Sequence, residues 1–373
     1  MADKIKRYLD VYIDTETCNF KCHYCYIALT ERFNKQLYKM KHTPEEIKRA
    51  FSKERLGGTC LINLCAGGET LLSPDVIPTV RALISEGHYV MIVTNGSMTN
   101  RFEEIRDTFT AEEKAHLFFK FSFHYLELLR LNLLDRYFAN VTMMHETGCS
   151  LTVEMTPNDE LIDRISEIKE VCLKNLGALP HLTIARDDRT GGINHLSKLS
   201  WEEFLKTWSV FDSELFNFKS AIFYKKRKEF CYAGDYSLYI NINSGRYTPC
   251  NCGRVLGNIY TDKKINFIAV GRCKLPHCYN GHYWIALGCI PIMEFARRNP
   301  RTRVPTYAEE RDRVLPNGEH WLAPSFQHVF STRASEMNEE YSLLKKVYSV
   351  FRTDTDLRVL RSSLHRILRL KRK

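Results

Sequence analysis

The N-terminus, Met1-Ala2-Asp3-Lys4, has no apolar signal region, and no stretch of the chain is apolar and uncharged for long enough to cross a bilayer. The longest apolar-rich run, around Trp284 to Ala296, is broken by Gly288, Pro291 and Glu294. These absences exclude a signal-directed secreted protein and a helical membrane protein, and they predict a soluble, cytoplasmic one with no transmembrane segment. Acid is missing from the tail: after Asp356 come Arg358, Arg361, Arg366, Arg369, Lys371, Arg372 and Lys373 with no Asp or Glu. Those seven account for most of the net charge of +10, so the body is not basic enough to imply nucleic-acid binding. Leu357, Leu360, Leu364, Ile367 and Leu368 recur among the arginines near helical spacing. Such a tail suits contact with an anionic surface, or a solvated terminal helix packed on the body.

What the chain does have is cysteine, thirteen in 373 residues. Without an export signal they read as metal ligands or buried thiols rather than disulfides. Three fall in Cys18-Asn19-Phe20-Lys21-Cys22-His23-Tyr24-Cys25, spaced CX3CX2C, directly after the apolar run Leu9, Val11, Tyr12, Ile13. Three thiolates on one loop can hold a soft metal centre and leave it one ligand short, so the open position belongs to a substrate or cofactor. A structural zinc site with His23 as fourth ligand is the alternative. Cys60, Cys65, Cys149 and Cys172 are scattered through apolar stretches and read as small core residues.

A second feature follows the next strand-like run, Leu61-Ile62-Asn63-Leu64-Cys65, which leads into Ala66-Gly67-Gly68-Glu69. Paired glycines let a backbone approach a ligand closely, and a carboxylate can accept hydrogen bonds from an ammonium group. Together the two features resemble the radical S-adenosylmethionine (SAM) enzymes, whose loop carries an aromatic before its last cysteine, here Tyr24. The resemblance implies that Cys18, Cys22 and Cys25 bind a [4Fe-4S] cluster whose open iron chelates SAM, with Tyr24 near the adenine. It further implies that Gly67, Gly68 and Glu69 hold the SAM amino group, that Thr94-Asn95-Gly96 is the family's turn after the third strand, and that Ser122 binds the SAM carboxylate. Thr70 stands where the family often has proline.

From Leu9 to about Arg186 short apolar runs alternate with amphipathic stretches, the pattern of βα units on a parallel sheet. The strand candidates are Leu9 to Asp14, Cys60 to Cys65, Tyr89 to Thr94, Leu117 to His124, Ser150 to Met155 and His181 to Ala185. Helices are expected from Thr43-Pro44, from Ser73-Pro74-Asp75, and over Arg101 to Ala115, Leu131 to Thr147 and Asp159 to Leu176. The fold class is α/β, and by resemblance a partial (βα)6 radical SAM barrel. Sites in such barrels gather at the C-terminal strand ends. His124 and Glu154 near those ends read as polar strand-end residues or catalytic ones, and Arg186 to His195 as a surface connection or a lid.

Cys231-X13-Gly245-X4-Cys250 surrounds a hairpin pattern, Tyr236 to Ile242 and Tyr247 to Cys250, turning at Asn243-Ser244-Gly245-Arg246. It is similar to the opening of the SPASM and twitch extensions of radical SAM enzymes, but the later cysteine run of a full SPASM domain is absent. By that resemblance Cys231, Cys250, Cys273 and Cys278 hold one auxiliary [4Fe-4S] cluster, with Cys252 and Cys289 left over; zinc at the same residues is the alternative. The expected divisions are a barrel over 1–200, a linking helix over 201–230, an auxiliary-cluster domain of β-hairpin plus helix over 231–296, and a helical extension over 297–373. Within these, Tyr224 to Glu229 reads as a solvated charge run, Arg301 to His320 as a polar loop and Ser335 to Phe351 as a helix.

The resemblance implies an enzyme that cleaves SAM reductively and takes a hydrogen atom from a substrate, fed by an external reductant of flavodoxin or ferredoxin type. With little chain before Cys18 for a peptide-recognition domain, the expected substrate is a small molecule or sugar; a peptide maturase forming crosslinks or epimers is the alternative, and a metal-stapled binding module the non-enzymatic one. Were the outcome an epimerisation, Cys65, Cys149 and Cys289 are the candidate hydrogen donors.

Overall fold

A computed structural model describes residues 5–37, 39–189, 193–250, 253–278, 305–330 and 343–353. The basic tail, Cys252 and Cys289 lie outside the described residues.

The alternating pattern forms six parallel strands in chain order: β1 (Arg7–Ile13), β2 (Cys60–Ala66), β3 (Tyr89–Thr94), β4 (Leu117–Ser122), β5 (Ser150–Met155) and β6 (His181–Leu182). β3 and β5 have the bounds expected of them. β4 stops before His124, which becomes the N-cap of the helix Tyr125–Arg130. β6 is shorter than expected, although Thr183 N still donates to Met155 O at 3.0 Å.

Capping decides where the crossover helices start. Thr43 and Glu46 form a capping box ahead of Pro44–Ala50. A second box, Thr110 with Glu113, splits the expected Arg101 to Ala115 helix into Thr99–Thr108 and Ala111–Ala115. The helix expected from Leu131 runs over Leu134–Glu146. The one expected from Asp159 opens as a 3-10 stretch, Asp159–Arg164, before Ile165–Leu176. The linking helix is also two, Trp201–Trp208 and Glu214–Ile222, separated where Asp212 takes a left-handed conformation (φ 47°) and Ser213 caps the second.

Beyond β6, β7 (Arg186–Asp187) and β8 (Asn194–His195) pair antiparallel. The expected hairpin forms as β10 (Ser237–Asn241) and β11 (Arg246–Thr248), followed by β12 (Gly257–Asn258). β9 (Phe230–Cys231) pairs instead with β13 (Gly271–Arg272). The hairpin does not stand on a sheet of its own. β10 lies parallel against β1, from Tyr8↔Ser237 to Tyr12↔Asn241, giving one nine-stranded sheet in the order β12-β11-β10-β1-β2-β3-β4-β5-β6. Leu238 and Ile240, fully buried level with Leu9 and Val11, show why: on that face β10 extends the apolar surface that β1 turns toward the large core. In the run Tyr224 to Glu229, Arg227 is buried and paired with Glu229 at 2.8 Å rather than solvated.

Alternation along the strands sorts the two faces. Leu9, Val11, Ile62, Leu64, Val90, Ile92, Phe119 and Phe121 join the large core with the helices. Tyr8, Leu61, Tyr89, Met91 and Phe118 face the other way and pack on Tyr307, Phe326 and Phe330. Tyr307 belongs to the segment expected to be a polar loop, and Phe326 and Phe330 lie just beyond it. Thr306 and Glu309 box the helix Tyr307–Arg311, and the helix Pro324–Phe330 comes after. Leu151 N donates to Trp321 O at 2.9 Å and Ala323 N to Ser150 Oγ at 2.9 Å, fastening this arm to β5. It therefore fills the N-terminal half of the sheet's inner face. The end of the helix expected over Ser335 to Phe351 is observed as Leu343–Thr353; residues 331–342 are outside the described set. Among the described residues no helix is long and apolar enough to cross a membrane.

Arg7, at the start of β1, ties the hairpin to the sheet. Its guanidinium donates to Leu56 O, to Asp235 O at 2.7 Å and to Asp235 Oδ1 at 3.2 Å, and covers the Phe267 ring at 3.6 Å. Both partners of the Arg7–Asp235 pair are buried. Arg7→Met leaves the Asp235 carboxylate without its principal buried counter-charge and is expected to cost about 3 kcal/mol in equilibrium denaturation; a loss below about 0.5 kcal/mol would refute this role.

Candidate active site

The cysteine loop begins where β1 ends, and its stem is held by backbone pairing. Gly67 N donates to Ile13 O at 3.1 Å, Gly68 N to Thr15 O at 2.8 Å and Glu69 N to Thr17 O at 3.0 Å, so the chain after β2 runs alongside the stem up to Cys18. A Cβ on Gly67 would sit 2.3 Å from Thr15 O, and one on Gly68 1.8 Å from Thr17 O. The two glycines are thus required by the approach of one loop to another; their amides are spent on the stem rather than on a ligand.

Glu69 is engaged in the same way. Its carboxylate accepts from Thr94 Oγ1 at 2.7 Å, Asn95 N at 2.7 Å and Leu71 N at 2.9 Å, which clips the end of β2 to the end of β3. Burial pushes its pKa up, against these three hydrogen bonds. It still lines the cavity, and a carboxylate has acceptor sites beyond the three used. Asn95 is committed to the loop as well: Asn95 Nδ2 donates to Asn19 Oδ1 at 2.8 Å, and Asn19 Nδ2 to Ser97 Oγ at 2.7 Å. On the far side Lys21 N donates to Glu127 Oε2 at 2.8 Å, while Arg130 fixes the Glu127 carboxylate through 2.9 and 2.7 Å bonds. Asn19 and Glu127 are positioning residues for the cysteines, and nothing in their local sequence marks them.

At the C-terminal ends of β1 to β6 lies a cavity of about 320 Å³. Cys18, Cys22, Cys25, Tyr24, Gly67, Gly68, Glu69, Asn95 and Ser122 all line it, so the structure brings the candidate residues of the first half of the chain into one space. Burial raises the pKa of all three loop thiols, Cys18 to about 12, and a bound cation is what would draw off their protons. The cavity also holds His124, whose Nδ1 lies 2.7 Å from Tyr24 Oη. Burial drives the His124 pKa down to about 4, which favours the neutral ring, and the tautomer decides which of the two partners donates in this bond. His124 orients the aromatic of the cysteine motif.

Deeper in the cavity is a charged layer that belongs to none of the motifs. Lys120, two residues before Ser122 on the same face of β4, pairs with Glu154 Oε2 at 3.0 Å, and Glu154 Oε1 meets the Arg311 guanidinium. Glu154 is therefore a buried counter-ion. Lys219 reaches in from Glu214–Ile222 and donates to Thr183 Oγ1; Arg186 and Asp188 complete that wall. The segment after β6, expected to be a surface connection or a lid, so contributes to the cavity lining. The Lys120 signal was legible, a cation between Phe119 and Phe121 in a buried strand; Lys219 had none.

Of the hydrogen-donor candidates, Cys65 lines the cavity and its thiol is raised to about 12 by burial. Cys149 does not: it is buried just before β5, at the opposite end of the sheet, and has no access to the cavity. Cys231 and Cys278 pack in one small cluster with Phe218, Ile222 and Ala233, and the β9–β13 pairing sets Cys231 opposite Gly271, two residues before Cys273. Cys250 packs against the neighbouring cluster that includes Tyr232 and Ala269. None of the described cysteines is in a disulfide. Among the described residues no three His, Cys, Asp or Glu side chains converge on the position of a single metal ion.

Gly68→Ala is expected to lower the melting temperature by at least a few degrees, because the stem must move to admit the Cβ; an unchanged melting curve would refute the steric account.

The sequence pattern of the radical SAM superfamily matches residues 12–157. No curated protein matches the chain. Among solved structures, histidine-tagged anSMEcpe with bound AdoMet is similar over 93% of this chain and 99% of its own, at 14% identity and a TM-score of 0.50. SuiB of Streptococcus suis is similar over 70% of this chain at 15% identity and a TM-score of 0.48, and the chain spans 64% of SuiB's length. BtrN in complex with AdoMet and 2-DOIA aligns over 70% of this chain and 85% of its own, at 14% identity and a TM-score of 0.31. The anSMEcpe match concerns the fold alone. The three cysteines, the paired glycines and the β3 turn that gather in one cavity of the sheet all fall within residues 12–157, the stretch that matches the radical SAM superfamily pattern.

Proposed function

We propose that the chain is a radical SAM enzyme whose single active cavity binds a [4Fe-4S] cluster through Cys18, Cys22 and Cys25 and SAM along Gly67–Glu69, Asn95 and Ser122. The observation that carries this is the convergence of these residues, together with Tyr24, in one cavity at the strand C-terminal ends. Cluster and SAM supply the reductive chemistry that yields a hydrogen-abstracting radical. The chain supplies placement: the Gly67–Gly68 stem fixes the loop, Tyr24 and His124 form one wall, and the arm carrying Tyr307 and Phe326 shuts the cavity off from below. The substrate is read as a small molecule that enters the same cavity from the side lined by Lys120, Thr183 and Arg186.

Cys231, Cys250, Cys273 and Cys278 are read as ligands of one auxiliary [4Fe-4S] cluster, in the manner of a twitch domain. Support comes from the β9–β13 ribbon, which draws Cys231 toward Cys273 and Cys278, and from Gly234, where a Cβ would lie 3.1 Å from Pro249 next to Cys250. Held there, such a cluster would supply an electron acceptor for substrate oxidation, and the first cluster would need an external reductant of flavodoxin or ferredoxin type. Thiol ligands and oxygen-sensitive clusters suit a reducing, cytoplasmic setting.

Anaerobically reconstituted protein should carry about eight irons per chain. Cys22→Ala and the double variant Cys231→Ser, Cys273→Ser should each lower that to about four. About four irons in the unmodified chain would remove the auxiliary cluster, and zinc without iron would favour a metal-stapled binding module. With dithionite and SAM, the reconstituted protein should release 5′-deoxyadenosine, and Cys22→Ala should reduce the yield by about a hundredfold or more. Undiminished production by Cys22→Ala would overturn the assignment of the first cluster.

A further inference from the structure

The charged layer of the cavity is more than the cofactors account for. Lys120, Arg186 and Lys219 come from β4, β7 and the helix Glu214–Ile222 and line the same space. The acids among the cavity-lining residues are Glu69 and Asp188. Glu69 already accepts three hydrogen bonds, and Asp188 faces Arg186 at 3.5 Å. Glu154 is shared between Lys120 and Arg311. Glu310, the acid that favours the charged form of Lys219, is fully buried and itself held well above the usual carboxylate range by that burial.

The cations in consequence press on one another. After burial, Lys120 is the next largest influence lowering the pKa of Lys219, and Arg186 follows. The Lys120 pKa falls to about 8, through burial first and then Arg311, with Cys65 and the Asp10 carboxylate opposing the fall and Arg186 adding to it. A wall that gathers like charges out of water gains from an anion placed among them. Ammonium and guanidinium groups on one side of a cavity are suited to an oxyanion, since each bond to a charged acceptor is strong.

We propose that Lys120, Arg186 and Lys219 form an oxyanion subsite, so that the substrate processed in this cavity carries a carboxylate or phosphate. The inference rests on the radical SAM reading and deepens it: the substrate's reacting carbon would lie between this wall and the Tyr24–His124 wall, its acid group anchored on the lysines. A neutral sugar or cyclitol would offer these three cations no anionic acceptor and is not the preferred substrate.

The test uses reconstituted protein with and without SAM, titrated at constant ionic strength with inorganic phosphate, with succinate and, as a control, with chloride; the readout is the melting temperature. A saturable rise with phosphate or succinate and none with chloride is expected, and the stronger of the two separates a phosphorylated from a carboxylic substrate. Lys219→Met, and Arg186→Gln at a half-buried position tolerant of substitution, should each weaken the apparent affinity about tenfold or more. Lys219→Arg should retain binding, separating charge from packing. No saturable rise, or a rise unaltered in both charge-removing variants, overturns the subsite. A rise abolished when SAM is present would assign these cations to the SAM carboxylate and also overturns it. Formation of 5′-deoxyadenosine by the unmodified protein without added anion is scored separately: its failure counts against the radical SAM reading, whereas its success without an anion response counts against the subsite alone.

Discussion

The distance between Gly68 and Thr17 governs the site. Two loops leave adjacent parallel strands and must run side by side for three residues, with backbone hydrogen bonds between them and no room for a side chain. Everything that positions the cysteines depends on that ladder. It delivers Cys18 at the mouth of the sheet, and from there Asn19 is tied to Asn95 beyond β3 and Lys21 to Glu127 beyond β4. A buried carboxylate, Glu69, closes the ladder by bonding the neighbouring turn. The glycine pair is therefore scaffolding for the cysteine loop before it is anything for a ligand.

The inner face of the sheet is built in layers. At the N-terminal end Tyr8, Leu61, Tyr89, Met91 and Phe118 are sealed by aromatic residues of the C-terminal arm. Above them Asp10 accepts from Asn63 Nδ2 at 2.8 Å, and Lys120 meets Glu154. Above these, Cys65 and Ser122 open into the cavity. The arm is thus structural below and electrostatic above, since its Arg311 reaches the middle layer and shares Glu154 with Lys120. A segment without motifs thus bears on a residue in the cavity: after burial, Arg311 is the largest influence lowering the Lys120 pKa.

Much of this was legible in the sequence, and the reasons for the rest are physical. β3 and β5 could be bounded because Tyr89 to Thr94 and Ser150 to Met155 are short apolar runs between turn-forming residues. The CX3CX2C loop and Gly67-Gly68-Glu69 could each be read because the spacing within each is local information; that they belong together came from the resemblance to radical SAM enzymes, since they leave two different strands. Helix breaks were missed where a cap such as Thr110 or Ser213 interrupts an otherwise continuous periodicity, since periodicity does not report φ and ψ. The arm was misread because Glu310 and Arg311 look like surface residues in a charged stretch; only tertiary neighbours, Glu154 for Arg311 and Lys219 for Glu310, make their burial tolerable. The strand β10 was read correctly as one arm of a hairpin, but its partnership with β1 is a long-range choice that no local pattern carries.

That partnership constrains the order in which the molecule can form. β1 supplies the stem of the cysteine loop, yet one of its two edges is completed by residues that follow it by more than two hundred positions, as the Arg7–Asp235 contact spans 228. Until β10 is synthesised and docked, β1 presents an open, apolar edge of the kind that pairs with other chains. Contacts of such sequence separation form slowly and late. The loop that follows β1 thus acquires its final support only once β10, more than two hundred residues later, has docked, so the Cys18 to Cys25 stretch settles late in folding.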